Sequence, residues 1–297
     1  MKKILFILSW LISLIIISVY VSENPERIEI IKSYFVKDKT PTFKTQEGDI
    51  QRSPGNSFIV EFSKVLSVSE KTAFIVHDEN ASNFDELLFG NNSTGSLKDY
   101  FDEISYGNFQ LDGVVGGWYN SSLNQSQAVE NVRQYVAEIA SLADSDFDFG
   151  QFDNDGPDNV PNSGDDDGYV DGIAVVYSGC GAEWGEGNDN LWPHMSSLGT
   201  SYQYTTNDAS ANGDYIIVNS YFVAPELAGG GDCYTDIIRP MGVYAHEFGH
   251  ILGLPDLYDR DADNGSSEGI GNWCLMAGGS WNGWAGDTPA HMSAWCK

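Results

Sequence analysis

The stretch Pro240–Asp259, PMGVYAHEFGHILGLPDLYD, constrains the fold and chemistry of the chain more than any other part of it. Pro240 suits the first turn of a helix, and Gly253 suits the left-handed residue that follows the last turn. Together they predict a helix over Met241–Leu252. The motifs that carry chemistry lie on this helix and directly after it.

His246 and His250 lie one turn apart on one helix face, a spacing at which two imidazoles bind a single zinc ion. Glu247 lies beside them, where it can take a proton from a metal-activated water. Gly253 lets the chain turn back sharply, which brings Asp256 within reach as a third ligand. Two histidines and one carboxylate leave a fourth position for water, as in catalytic zinc sites. HExxH alone arises by chance in many helices, whereas the longer HExxHxxGxxD favours a zinc site.

A second motif lies 20 residues beyond Asp256, where GNWCLMAGGSW places Met276 in a glycine-rich turn. Metzincins place a methionine turn beneath their three metal ligands. Together with HEFGHILGLPDLYD, this motif resembles the immune inhibitor A-like family of secreted metallopeptidases, whose third ligand is Asp where most metzincins have His. Residues 88–119 and the segments FDNDG, GDDDGYVDGIAVVYSG and LWPHM are also similar, so the resemblance covers about residues 72–297.

The resemblance implies an α+β, zincin/metzincin-like catalytic domain with a mixed twisted sheet, an active-site helix and a methionine turn. It implies zinc on His246, His250 and Asp256, with Glu247 as general base and Met276 in a structural role. Asp259 is a rival for the zinc, or a ligand of a further calcium ion.

The sequence departs from the metzincin pattern in two places. No Tyr lies two residues after Met276, where some metzincins have an oxyanion stabiliser. His194, Tyr244 and Tyr258 are the candidates for that task, and a structural role is the alternative for each. The chain also stops at AHMSAWCK, within an expected helix, whereas family members usually continue. We therefore expect later domains to be absent from it.

An acidic loop, DFGQFDNDGPDNVPNSGDDDGYVDG, precedes a predicted strand. Clustered oxygen donors on a turning backbone suit Ca²⁺, which takes six to eight oxygen ligands. An EF-hand is excluded, because Ala174 falls where a bidentate Glu is required. We predict a calcium site of another kind, with a solvated acidic loop as the alternative. Its expected ligands are Asp153, Asp155, Asp165, Asp167 and Asp171.

The charge of the chain excludes one class of partner. The sequence has 15 Lys and Arg against 43 Asp and Glu, for a net charge of -28. Nucleic acid and anionic membrane surfaces would be repelled. Between residues 134 and 238 there are 19 acidic residues and no Lys or Arg. Such a stretch requires salt or bound cations to relieve its self-repulsion.

The N-terminal part differs in composition from the remainder. Residues 1–22 contain two lysines followed by uncharged, mostly apolar sequence, which predicts a secretory signal peptide. An uncleaved membrane anchor is the alternative, because residues 4–22 are long enough to span a bilayer. Residues 23–71 have balanced charge and are interpreted as a pro-segment or an N-terminal extension, and residues 72–297 as the catalytic domain. The protein is expected to be secreted, or tethered at the cell surface.

Export permits disulfides, and the number of cysteines is even. Three pairings are possible, and the sequence does not choose among them. The cysteines are Cys180, Cys233, Cys274 and Cys296.

Local patterns predict further elements. Leu97 begins a helix whose N-terminus carries a capping box of Ser96 and Asp99. A second amphipathic helix is predicted over residues 127–142. Short apolar runs predict strands at Thr72–His77, Gly172–Gly179 and Tyr215–Val223.

The sequence thus predicts a monomeric, secreted zinc endopeptidase that hydrolyses protein or peptide substrates through a Zn-activated water, with Glu247 as general base. Two alternatives remain open. One is a catalytically silent, calcium-binding surface or binding module on a zincin fold, and the other is a zinc hydrolase that acts on bonds other than peptide bonds.

Overall fold

The structure is a computed structural model. It describes residues 81–90, 95–184, 190–229, 237–261, 265 and 267–297, and the backbone of three strands between residues 42 and 66. The predicted signal peptide at residues 1–22 and the predicted strand at Thr72–His77 lie outside the described residues. Within the described residues, no helix is both long enough and apolar enough to cross a bilayer.

A five-stranded mixed sheet forms the centre of the fold, in the spatial order β4-β3-β5-β9-β6. Neighbouring strands are parallel except at one edge, where β6 runs antiparallel to β9. This arrangement confirms the prediction of a domain that mixes helices with a mixed sheet. The strands are β3 (Ser57–Leu66), β4 (Gln110–Asn120), β5 (Ile173–Cys180), β6 (His194–Ser197) and β9 (Ser220–Leu227).

Two antiparallel pairs accompany the central sheet. The first joins β1 (Thr42–Thr45) to β2 (Gly48–Gln51). The second joins β7 (Tyr204–Ala209) to β8 (Tyr215–Val218). The predicted strand at Tyr215–Val223 is therefore two strands, β8 and β9, in two different sheets. The strands separate at Asn219, whose side chain accepts a hydrogen bond from the Gly199 N–H.

Side chains alternate between the faces of the sheet, so strands β5 and β9 each contribute to two hydrophobic clusters. One cluster contains Ala174 and Phe222 and packs against α1 (Ala81–Phe89), α2 (Leu97–Ile104) and α5 (Met241–Ile251). The other contains Val175 and Tyr221 and packs against α4 (Val132–Ala143). Helix α5, which carries the HExxH motif, is thus held on one face of the sheet.

The helix ends follow the capping rules in most places. Ser96 and Asp99 form the predicted capping box at the start of α2. Helix α5 ends at Ile251, and Gly253 has the expected positive φ of 85°. The helix predicted over residues 127–142 is divided into α3 (Gln125–Glu130) and α4, because Asn131 has a non-helical backbone.

One other prediction differs from the structure. No helix follows Trp281, since the described C-terminal residues form turns. Strand β3 lies between β4 and β5 and belongs to the segment that composition separates from the catalytic domain. The compact unit that contains the sheet begins at Thr42. The domain boundary near residue 72 stays a prediction. Cleavage of a signal peptide or a pro-segment stays a prediction.

Candidate metal centre

Helix α5 brings two imidazoles and one carboxylate to a common point. The Nε2 atoms of His246 and His250 each lie 3.1 Å from Asp256 Oδ1. The two rings are 4.8 Å apart between centroids and are nearly perpendicular. The three residues predicted as zinc ligands therefore lie together, and within the described residues they form one of two groups suited to a metal ion.

Backbone carbonyls fix the orientation of both imidazoles. His246 Nδ1 donates to the Leu275 carbonyl at 2.9 Å, and His250 Nδ1 donates to the Leu254 carbonyl at 2.6 Å. A proton on Nδ1 leaves the Nε2 lone pair of each ring for a metal. No sequence motif indicates such carbonyl partners, because every residue has a carbonyl.

The donor set fits zinc in both chemistry and size. Nitrogen and carboxylate ligands bind zinc tetrahedrally at about 2.0–2.1 Å, which places neighbouring ligand atoms about 3.3 Å apart. The 3.1 Å separations between Asp256 Oδ1 and the two Nε2 atoms are close to this value. Three protein ligands also leave a fourth position, as in catalytic zinc sites.

The second oxygen of Asp256 faces a cation. Arg260 Nη1 lies 3.3 Å from Asp256 Oδ2, although the Arg260 side chain is 73% exposed. Burial alone would raise the pKa of Asp256, but hydrogen bonds from His246 and His250 hold it well below its usual range. Asp256 is therefore ionised at neutral pH, which is the form that binds metal. Asp259 is not a member of this group.

Glu247 is buried beside the three ligands, with 5% of its surface exposed. Burial raises the pKa of Glu247 to about 7, while His246 and His250 lower it. Its carboxylate accepts a hydrogen bond from the Met195 N–H of the edge strand β6. A carboxyl group with a pKa near neutrality is suited to taking up and returning a proton.

Met276 packs against α5 at Gly249. A Cβ atom placed on Gly249 would lie 2.5 Å from Met276 Sδ, so only glycine allows this approach between Glu247 and His250. The Met276 carbonyl accepts a hydrogen bond from the Leu257 N–H at 2.7 Å. The turn at Met276 thus contacts both the helix and the loop that contains Asp256.

The three candidates for oxyanion stabilisation have different surroundings in the structure. The Tyr244 hydroxyl is buried and donates to the Pro225 carbonyl at 2.6 Å. The His194 ring packs on Tyr221, which belongs to the hydrophobic cluster on the sheet face opposite α5. Tyr258 alone of the three lies at the centre, where its ring stacks on His246 at 6.3 Å.

The acidic loop contains the second group suited to a metal ion, formed by Asp153, Asp155 and Asp166. Asp153 and Asp155 belong to the predicted calcium site, whereas Asp166 was missed. No sequence pattern singles out Asp166, because three consecutive aspartates cannot be told apart by pattern. The structure leaves three predicted ligands out of this group, namely Asp165, Asp167 and Asp171.

Hydrogen bonds shape the loop around these carboxylates. Asp166 accepts from the N–H groups of Gly156 at 2.7 Å and Ser163 at 2.6 Å. Asp155 accepts from the Asp167 N–H. Asp165 is exposed, and its hydrogen bond with the Ser163 hydroxyl lowers its pKa.

Asp153 is 1% exposed, so its carboxylate is shielded from water. Burial, together with the charges of Asp167, Asp166 and Asp155, raises the pKa of Asp153 to about 7. Its Oδ2 accepts from the Gly168 N–H, whereas its Oδ1 has no hydrogen-bond partner within the described residues. A cation would satisfy this oxygen and relieve the repulsion.

Comparison with known proteins identifies relatives of the chain. A family model described as immune inhibitor A peptidase M6, catalytic domain, matches residues 44–297. Immune inhibitor A from Bacillus thuringiensis subsp. alesti is 27% identical over 290 residues, which cover 84% of this chain and 40% of the relative. Pre-pro-metalloprotease PrtV from Vibrio cholerae serotype O1 is 29% identical over 262 residues, which cover 77% of this chain and 27% of the relative.

The family match includes strand β3, which the structure places in the central sheet. The family match begins at residue 44, before strand β3 and within the segment 23–71. The chain spans less than half the length of the two relatives.

Proposed function

The chain belongs to the immune inhibitor A peptidase M6 family, and from this membership we propose that it is a secreted, zinc-dependent endopeptidase of the metzincin type. The observation that carries the proposal is the convergence of His246 Nε2, His250 Nε2 and Asp256 Oδ1, with the buried Glu247 beside them. Protein or peptide substrates follow from the family. Zinc held by these three residues would lower the pKa of a water to about 7 and polarise the carbonyl of the substrate.

Other residues of the chain transfer the proton, orient the imidazoles and support the helix. Glu247 takes a proton from the attacking water and delivers it to the nitrogen of the leaving amine. Its pKa of about 7 allows both transfers near neutral pH. The Leu275 and Leu254 carbonyls hold the imidazoles in the tautomer that exposes Nε2. Met276, which packs against Gly249 of the helix, is proposed to serve as the methionine turn.

The test of this proposal is zinc content by elemental analysis, combined with casein hydrolysis before and after zinc chelation. One equivalent of zinc and chelator-sensitive hydrolysis are expected. Zinc without hydrolysis would favour a hydrolase of other bonds. Absence of stoichiometric zinc would favour the catalytically silent calcium-binding module.

Tyr258 is proposed as the donor that stabilises the oxyanion. It stacks on His246, and burial and the charge of Asp256 raise the pKa of its hydroxyl, which keeps the donor proton in place. Tyr258→Phe is expected to lower kcat about 100-fold, with little change in KM, because removing one oxyanion donor has an effect of this order. Steady-state kinetics on a fluorogenic peptide measure the change. Tyr106→Phe, at an exposed site, is the control, and an unchanged kcat in Tyr258→Phe would exclude this role.

A structural calcium ion is proposed for the loop that contains Asp153, Asp155 and Asp166. The buried Oδ1 of Asp153 without a hydrogen-bond partner among the described residues supports it. Calcium at 100 times its Kd is expected to raise the Tm by about 5–10 °C, from a stabilisation of about 2.7 kcal/mol. Asp153→Asn should abolish this rise, as measured by differential scanning fluorimetry. Asp214→Asn removes an exposed charge elsewhere and should retain it. An equal rise in both variants would place the calcium elsewhere.

A further inference from the structure

Two cysteines lie side by side in the hydrophobic cluster that contains α5. Cys274 and Cys296 both carry free thiols and are 0% and 2% exposed. Their Sγ atoms are 3.8 Å apart, although 22 residues separate them in the chain. Both belong to the hydrophobic cluster that packs α2 and α5 against the sheet.

One residue holds both sulfur atoms in this arrangement. The Ser293 N–H donates to Cys274 Sγ at 3.3 Å, and the Ser293 hydroxyl donates to Cys296 Sγ at 3.4 Å. The Cys296 N–H donates in turn to the Ser293 carbonyl at 3.0 Å. Neither cysteine belongs to a group suited to a metal ion in the described part of the chain. The chemistry that remains for two thiols in contact is oxidation to a disulfide.

The position of Cys274 connects this pair to the metal ligands. Cys274 directly precedes Leu275, whose carbonyl accepts the hydrogen bond from His246 Nδ1. It lies two residues before Met276, whose carbonyl accepts from the Leu257 N–H next to Asp256. A covalent bond at Cys274 would therefore restrain the backbone that orients two of the three ligands.

We propose that Cys274 and Cys296 form a disulfide in the exported protein, and that this bond positions the Leu275 carbonyl against His246. The bond forms by thiol–disulfide exchange with a small-molecule or protein disulfide. The two thiols lose two protons and two electrons in forming the Sγ–Sγ bond. The disulfide of the reagent is reduced to two thiols. The inference rests on the proposed function only in that it requires export to an oxidising compartment.

Peptide mapping tests the pairing. The full chain is equilibrated with oxidised glutathione, unfolded with iodoacetamide present, digested without reductant and analysed by mass spectrometry. We expect a peptide in which Cys274 and Cys296 are crosslinked, with a mass about 2 Da below the sum of the two thiol peptides. Alkylation of both cysteines, or a crosslink from either one to Cys180 or Cys233, would overturn the proposal.

The positioning role is tested by comparing oxidised and reduced protein. Reduction should lower the Tm of the wild type by about 5–10 °C, as expected for a loop of 22 residues in a domain of this size. It should also speed the release of zinc to a chromogenic chelator about threefold to tenfold, because the Leu275 carbonyl that orients the His246 imidazole is then less restrained. Cys274→Ala/Cys296→Ala controls for reduction elsewhere in the chain, because it keeps the disulfide-bonded Cys180. Its response to reductant should be smaller than that of the wild type by these amounts in both assays.

The zinc-release assay tests the positioning role, and peptide mapping tests the pairing. Equal zinc release from oxidised and reduced wild type would exclude the positioning role even with the crosslink present. The same response to reductant in the double variant would assign the effect to other cysteines and overturn the role. The mapping and the melting curves do not depend on peptide hydrolysis, so failure of the proposed enzymatic function would leave them interpretable.

Discussion

Replacing Glu247 with alanine is expected to lower peptide hydrolysis by about 10³–10⁴-fold while zinc remains bound. General acid–base catalysis contributes up to about 10⁴-fold, and no other carboxyl group in the described metal centre is free to replace it. Asp256 is occupied by both histidines and Arg260. The measurement is kcat/KM on a fluorogenic peptide together with zinc content of the same sample.

Glu247→Gln separates the loss of the base from the loss of its volume. The glutamine side chain can still accept the hydrogen bond from the Met195 N–H, so the packing at strand β6 is retained. It should be nearly as inactive as the alanine variant. Glu130→Ala, on helix α3, serves as the control and should retain full activity. Near-normal kcat in Glu247→Gln with one equivalent of zinc would rule out Glu247 as the base.

The part of the metal centre that lies within one helix could be predicted from the sequence. His246 and His250 are separated by one helical turn, so their proximity depends only on the helix forming. Gly253 adopts the left-handed backbone that the pattern requires, and Asp256 follows from the short return of the chain. Local geometry over about ten residues determines all of these features.

Features that depend on distant segments could not be predicted. Strand β3 lies inside the sheet between β4 and β5, yet its sequence SFIVEFSKVL lies in a segment whose balanced charge suggested a separate region. Asp166, unlike its neighbours, joins Asp153 and Asp155, because its carboxylate accepts hydrogen bonds from the N–H groups of Gly156 and Ser163. Such contacts are set by how the loop folds, which residue composition does not encode.

Replacing Asp256 with alanine is expected to weaken zinc binding by more than about 100-fold, and hydrolysis is lost with the metal. Mutating a residue that only orients a zinc ligand lowers affinity 10–100-fold, so removing a ligand has a larger effect. Competition with a chelator of known affinity measures the change in Kd. Each 100-fold loss of affinity should also remove about 2.7 kcal/mol of zinc-dependent stabilisation at saturating metal, visible as a smaller rise in Tm.

Two further variants distinguish Asp256 from its rival in the same acidic run. Asp256→Asn keeps an oxygen near His246 and His250 but removes the negative charge, so its affinity should fall between those of wild type and Asp256→Ala. Asp259→Asn removes a charge three residues away, and it should retain wild-type affinity, because Asp259 is not grouped with the two histidines. If Asp259→Asn lost zinc and Asp256→Asn kept it, the third ligand would be Asp259. The loop after Gly253 would then have to rearrange when metal binds, since Asp256 Oδ1 already lies 3.1 Å from both imidazoles.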